Sequence, residues 1–346
     1  MDALLITHLP DVRWLCGFTG SNAAVVLPVR SRLRPVLVTD GRYTTQAKAE
    51  TAGVKVVIAP KSAAVAACEW IADAGLKRCG FDEGNTTVAA LKEMQAALPA
   101  KLRRNMFQPV GPLVSTLRWV KDQDEIAKMR AAAALGCRLF DDIFEHILPG
   151  AAEAEVALAL EYKARLAGAT EMSFPSIVAS GPRSALPHGR ASAARLPRRG
   201  FVTLDFGVVL NGYCSDMTRT VHLGKPTGEE QRVYEAVLEA QEAGVAAVRA
   251  GVTGGDVDEA ARSVLRRAKL DNWFTHSTGH GVGLEIHEGP RLAAKQTQRL
   301  EAGMVVTIEP GVYLPGKFGV RIEDMVLVKE KGAEILTPST KAWIEL

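Results

Sequence analysis

The chain has 346 residues, enough for about two globular domains, and its 47% hydrophobic and 23% charged composition is that of an ordinary soluble fold. A net charge of +3 and a pI near 8.6 argue against nucleic-acid binding, which needs a concentrated basic face, and no apolar run approaches the roughly 18 residues of a membrane span. Five cysteines without a C-x-x-C spacing argue against a disulfide framework or zinc knuckle and suit a reducing, cytoplasmic compartment.

The opening Ala-Leu-Leu-Ile-Thr-His reads as a strand, without the basic flank and cleavage site of a secretion signal. Further strands are predicted at Ala23–Leu27, Val36–Val38 and Val54–Ile58, with the first at Leu4–Ile6; all are short aliphatic runs bounded by turn residues. Helices are predicted at Tyr43–Thr51, Ala63–Ala74 and Val88–Leu98, the last opened by Asn85-Thr86-Thr87 as candidate caps. Residues 1–118 therefore read as an α/β domain of roughly five strands. It lacks a phosphate-binding loop, because Cys16-Gly17-Phe18-Thr19-Gly20-Ser21 does not have the G-x-G-x-x-G spacing.

Gly111-Pro112 starts a linker, and a second domain is predicted over residues 119–346. Asp122 and Glu125 resemble a capping box before a helix to about Ile147, stopped by Pro149-Gly150. A helix follows over Glu153–Leu166. Thr227-Gly228-Glu229-Glu230 caps another that Gly251 closes, and a further one covers Asp256–Ala268. Between the helices lie two predicted hairpins. Phe201–Leu210 and Tyr213–Leu223 flank Asn211-Gly212, a strong hairpin signal; Met304–Leu314 and Val320–Lys329 flank a five-residue loop, Pro315–Gly319. Two helix pairs alternating with two hairpins suggest an α+β domain of two similar halves, with no clear sequence repeat.

The hairpins carry acids in matched positions. A two-residue turn at Asn211-Gly212 sets Asp205 opposite Thr218, so Asp216 shares its face as a diagonal neighbour. Centring the second hairpin on Lys317 sets Glu309 opposite Met325, with Glu323 diagonal on the same face. Acids at the ends of apolar strands are costly to bury unless paired or bound to metal. Exposed strand faces would explain either pair alone. Both pairs, with His276-Ser277-Thr278-Gly279-His280 and His287 between them, point to a site. Four carboxylates and one imidazole suit two divalent metals roughly 3.5–4 Å apart. Oxygen-rich ligation favours Mn²⁺, with Co²⁺ or Zn²⁺ as alternatives, and the lack of thiolate argues against structural zinc.

Taken with Trp14-Leu15-Cys16-Gly17-Phe18, Thr39-Asp40-Gly41-Arg42-Tyr43 and Gly181–Gly189, these motifs resemble the pita-bread metallopeptidases, specifically the Xaa-Pro peptidases aminopeptidase P and prolidase. The resemblance covers nearly the whole chain. It implies a creatinase-type N-terminal domain, a pita-bread catalytic domain with pseudo-twofold halves, and a homodimer. It also implies Asp205, Asp216, His280, Glu309 and Glu323 as metal ligands, with Asp216 and Glu323 bridging. His188 and His287 would stand beside the scissile carbonyl, His276 in the proline pocket, and Arg321, Tyr213 and Tyr313 near the site. His8, His146 and His222 lack motif context and read as structural.

The implied reaction is hydrolysis of the bond between an N-terminal residue and a following proline. Glu309 would act as general base, with His188 and His287 stabilising the oxyanion. Substrates would be peptides with proline second, processed without nucleic-acid or membrane partners. Aminopeptidase activity is the favoured expectation. A dipeptidase needs an arginine to cap the free carboxylate, for which Arg13, Arg42, Arg183 and Arg190 are candidates. Methionine aminopeptidase fits less well because of the N-terminal domain. Creatinase and non-catalytic binding modules fit less well because all five ligands are present.

Overall fold

The computed structural model describes residues 1–29 and 32–346. The chain divides into two compact units, Met1–Arg118 and Trp119–Leu346. No helix among the described residues is long and apolar enough to cross a membrane.

In the first unit six strands form one sheet: β1 Ala3–Ile6, β2 Ala23–Pro28, β3 Val36–Asp40, β4 Lys55–Ala59, β5 Cys79–Asp82 and β6 Phe107–Val110, in the order β4-β3-β2-β1-β5-β6. Its helices are α1 Leu9–Cys16, α2 Thr44–Glu50, α3 Ala63–Asp73, α4 Val88–Ala96 and α5 Leu113–Arg118. Strand alternation sorts the side chains between two layers. Leu5, Ala24, Val26, Val36 and Val38 pack with residues of α3 and α4; Val25 and Leu37 pack with residues of α1, α2 and α5. The sheet has six strands rather than about five, and α1 is an addition to the expected helices. Cys79-Gly80-Phe81-Asp82 has no alternation to read, and β6 contains Pro109, which only a sheet edge tolerates. α1 has a proline in its first turn and ends on Gly17 at φ 87°, a start and stop that punctuate too short a run to be recognised.

The second unit begins with α6 Gln123–Asp142 and α7 Glu153–Leu166. Strands β7 Glu171–Met172, β8 Ile177–Ser180, β9 Gly200–Phe206, β10 Val208–Leu210, β11 Tyr213–Cys214 and β12 Met217–Leu223 follow, then α8 Gly228–Ala247 and α9 Gly254–Arg267. The remaining strands are β13 Gly279–Gly281, β14 Glu288–Leu292, β15 Val305–Ile308, β16 Gly311–Leu314, β17 Phe318–Arg321, β18 Asp324–Val328 and β19 Ala333–Ile335. The capping boxes at Asp122 and Thr227 form as predicted. α6 stops at Asp142, earlier than predicted, and Phe144–His146 makes a 3-10 turn. Leu135, Leu139, Phe140, Val156 and Leu160 of the first helix pair pack on Leu204 and Val221 of the β9–β12 hairpin. Val233, Val237, Val264 and Leu265 of the second pair pack on Val312 and Val320 of the β16–β17 hairpin. Each helix pair thus backs one hairpin, and both hairpins present acids on the side away from the helices.

Candidate metal centre

The first hairpin keeps the expected register throughout. Leu210 pairs with Tyr213 across a turn whose Asn211 and Gly212 adopt φ 53° and 83°, and Asp205 pairs with Thr218. The second hairpin departs from expectation. Its turn is three residues, Pro315–Lys317, closed by the Lys317 amide donating to the Leu314 carbonyl at 3.0 Å, with Gly316 at φ 74°. Leu314 pairs with Phe318, Gly311 with Arg321, and Ile308 with Asp324, so Glu309 lies opposite Glu323 rather than diagonal to it. The slip is two residues. Because side chains alternate with a period of two, both acids keep their face. His280 lies on β13, beside β15, with its amide donating to Thr307 Oγ1 at 3.1 Å.

These strands bring the predicted ligands together. One ligand atom each from Asp216, His280 and Glu323 lie within 4.8 Å of one another. His280 Nε2 is 3.6 Å from Asp216 Oδ2 and 3.7 Å from Glu309 Oε1. Its Nδ1 lies 3.0 Å from the Gly281 carbonyl and therefore carries the ring proton, leaving the Nε2 lone pair aimed at the acids. Burial lowers the imidazole pKa to about 4, so the ring is neutral and free to bind metal.

The acids repel one another in the same space. Burial, then the charges of Glu323, Asp205 and Glu309, push Asp216 well above the usual carboxylate range. Burial and Glu323 do the same to Glu309, and burial with Asp205 raises Glu323 to about 8. Asp205 Oδ1 is buried and has no hydrogen-bond partner. A crowd of desolvated carboxylates, an orphaned oxygen and a neutral inward imidazole are what divalent cations would relieve and satisfy. The residues present fit a metal centre.

A cavity of about 690 Å³ opens on these acids. Its walls include His188, His276, His287 and Arg321, with Phe174, Pro175, Ile177 and Ile286 giving an apolar side. His287 stacks edge-on against His280, ring centres 4.4 Å apart, and burial followed by His188 lowers its pKa. His188 is held by a loop that Glu153 ties down. The buried Glu153 carboxylate accepts from the Ser180 amide and hydroxyl, from Arg183 and from Ser192. Arg183, a candidate carboxylate cap, is committed to that pair, and Arg42 pairs with Asp40 within the first unit.

His276, expected in the proline pocket, lines the cavity with both ring nitrogens already engaged. Its Nδ1 lies 2.8 Å from the Ser277 carbonyl, to which it must donate, so Nε2 accepts from the Tyr313 hydroxyl at 2.8 Å. Burial and then the Arg321 charge lower this ring to about 4, which keeps it neutral. The Tyr313 oxygen in turn accepts from Arg321 Nη1 at 2.7 Å, and Arg321 Nη2 donates to Asp205. Tyr313 therefore stands behind the wall in a chain that ends on Asp205, a predicted ligand. Tyr213 does not line the cavity; its buried hydroxyl donates to Glu125 at 2.9 Å.

Two features escape a reading of the sequence. Arg291 lines the cavity from β14, paired with His280, because two extra residues, Gly289 and Pro290, interrupt the ladder between Gly281↔Glu288 and His280↔Arg291. The even interruption shifts Arg291 to a place opposite His280 but keeps face parity, so Arg291 and His287, four residues apart, both line the cavity. The glycines on either side of His280 are demanded by strand packing. A Cβ at Gly279 would sit 1.9 Å from the Thr307 carbonyl oxygen, and one at Gly281 would sit 2.0 Å from that of Gly289. They let neighbouring strands close on the one that carries the imidazole.

A family model described as metallopeptidase family M24 matches residues 127–330, and one for the creatinase/prolidase N-terminal domain matches residues 1–120. An uncharacterized peptidase of Bacillus subtilis is 40% identical over 350 residues, covering all of this chain and 96% of its own length. The Xaa-Pro dipeptidase of Pyrococcus furiosus is 42% identical over 235 residues, 68% of each chain. Among solved structures, an Xaa-Pro dipeptidase from Bacillus anthracis matches with a TM-score of 0.94 at 39% identity, covering 100% of this chain and 95% of that one. An X-Pro aminopeptidase from Thermotoga maritima matches at 0.90 and 36%, covering 100% and 98%.

Proposed function

The chain belongs to metallopeptidase family M24, and we propose that within it the protein is an Xaa-Pro dipeptidase rather than the aminopeptidase favoured by the sequence motifs. The observation that carries this reading is the pair Arg190 and Arg291. Both line the cavity, and neither guanidinium has a hydrogen-bond or ion-pair partner among the described residues. Unspent guanidinium donors at a peptide site suit the free carboxylate that follows proline in a dipeptide, which an arginine grips through two parallel bonds. The similarity to the dipeptidases of Bacillus anthracis and Pyrococcus furiosus supports it.

Proline gives the scissile bond no N–H and fixes φ, so a peptidase that grips that N–H loses its contact. Asp205, Asp216, His280, Glu309 and Glu323 would hold two divalent cations. Bound there, the ions supply Lewis-acid activation of water and of the carbonyl. Glu309, beside His280 Nε2 and half-buried, takes the proton from water and returns it to the proline nitrogen. His188 and His287 stand on the cavity wall to donate to the developing oxyanion. The apolar side formed by Phe174, Pro175, Ile177 and Ile286 suits the pyrrolidine ring.

The test compares kcat/KM for an Xaa-Pro dipeptide with that for the same peptide extended past proline. The dipeptide should be preferred, and Arg291→Met should cost dipeptide hydrolysis about 10²-fold while sparing the longer peptide, the loss of one charge-assisted contact. Equal or better cleavage of the longer peptide returns the aminopeptidase reading, which the similarity to the Thermotoga maritima enzyme supports. Mn²⁺ is the proposed metal, from the hard, oxygen-rich ligands; metal analysis of the purified protein tests it. A homodimer is also proposed. Leu158, Tyr162 and Leu166, exposed and four apart on α7, form an apolar stripe that supports it, and sedimentation tests it. Five free cysteines support a cytoplasmic location.

A further inference from the structure

Helix α9 carries an ion pair that the chemistry above does not use. Arg262 grips Asp258 with two bonds, Nε to Oδ2 and Nη2 to Oδ1, both 3.0 Å. An ordinary bridge of this spacing ends on the helix surface. This one reaches away from it. Arg262 Nη1 donates to the Phe274 carbonyl and Nη2 to the His276 carbonyl, each at 3.0 Å, and its guanidinium carbon lies 4.2 Å from the centre of the Phe274 ring. Asp258, only 1% exposed, also accepts from Thr278 Oγ1 at 2.8 Å. One pair therefore fastens the chain at three alternate residues, 274, 276 and 278.

That segment leads to the metal centre by two routes. The Thr278 carbonyl accepts the Glu309 amide at 2.8 Å. The His276 ring receives Tyr313, which receives Arg321, which donates to Asp205. We propose that Asp258 and Arg262 are positioning residues for the hydrolytic site: they fix segment 274–278, and through it the His276–Tyr313–Arg321 chain that orients Asp205 toward metal. The planar fork of arginine is required because four bonds leave one group in set directions; a lysine ammonium has three donors and no fixed fork, so it cannot make all four. The inference rests on the metal-dependent reading of the site and not on which peptide is cleaved.

The experiment is a double-mutant cycle in the full chain between Arg262→Met and Tyr313→Phe, read by calorimetric titration with Mn²⁺, by kcat and KM on an Xaa-Pro dipeptide, and by melting temperature. Arg262→Met should weaken Mn²⁺ binding by about 10-fold and lower kcat with KM within about twofold, the range for loss of a residue supporting a ligand. Arg262→Lys should recover part of both. The double variant should be no worse than the poorer single one, because both act on one chain. Effects that multiply in the double variant overturn the proposal. So does a lowered melting temperature with Mn²⁺ affinity and kcat unchanged below it. Should Arg262→Met not fold, Asp258→Asn, which keeps the side chain's size, carries the same cycle. A wild-type protein that binds Mn²⁺ but leaves Xaa-Pro peptides intact refutes the proposed substrate alone, and the Mn²⁺ titrations still decide the positioning role.

Discussion

Glu309 combines two constraints at a single residue. It is the least buried of the four acids, hence reachable by water from the cavity, yet burial and Glu323 raise its pKa. Replacing it with Gln keeps the volume and removes the proton acceptor. Glu309→Gln should lower kcat by about 10²–10⁴-fold, the usual worth of a general base. Undiminished turnover on an Xaa-Pro dipeptide would remove Glu309 from the chemistry. The same change takes one charge out of the crowd, so at pH 8 and without metal the variant should melt above the wild type, as calorimetry would record. Arg321 is the counterpart: its guanidinium brings positive charge among these acids, and it is tied to Thr218, Pro187, Tyr313 and Asp205 at once.

The elements explain what can be read in advance. The acid pairs are legible because face parity survives a two-residue slip: the expected loop, Pro315–Gly319 instead of the observed Pro315–Lys317, still puts Glu309 and Glu323 on one face. Direct opposition is not legible, since it depends on a turn closed by Lys317 and Gly316. The helix at Thr227 announces itself through its capping box. Arg291 stays hidden behind the interruption at Gly289-Pro290, and Tyr213 goes astray because its partner, Glu125, is remote in sequence. Strand proximity at Gly279 gives an element-level prediction. Gly279→Ala should destabilise the protein by several kcal/mol and abolish tight Mn²⁺ binding, because its methyl would strike the Thr307 carbonyl oxygen at 1.9 Å. Gly228, at the start of α8, is the control, because a methyl added there would meet nothing within 4 Å. Gly228→Ala should be neutral or stabilising by roughly 0.4–1 kcal/mol in urea unfolding, through loss of unfolded-state freedom.

For the whole molecule, the site makes stability depend on pH and metal together. Glu323 has a folded pKa of about 8, above its ordinary 4.5, and Asp216 and Glu309 shift the same way. Groups raised on folding contribute stability that is present below the ordinary value and lost as pH climbs through the folded one. His276 and His280, lowered from 6.5 to about 4, contribute stability present above 6.5 and lost as pH falls toward 4. The two sets oppose each other below 6.5, and only the acids act above it. Chelator-treated protein should therefore lose stability between pH 6.5 and 8, by about 2 kcal/mol for one carboxyl across that window. Saturating Mn²⁺ should abolish the loss and add about 2.7 kcal/mol at a hundredfold excess over Kd. A flat urea-denaturation profile for the chelated protein would contradict this. The orphaned Oδ1 of Asp205 carries the same point into biosynthesis. Apart from Asp216 on the same hairpin, its neighbours in the cluster arrive on strands made much later, so a growing chain holds no complete ion trap until the last hairpin closes. Loading and maturation then become a single late event, and a cell short of the ion would accumulate chains that are fully made yet poorly guarded against proteolysis.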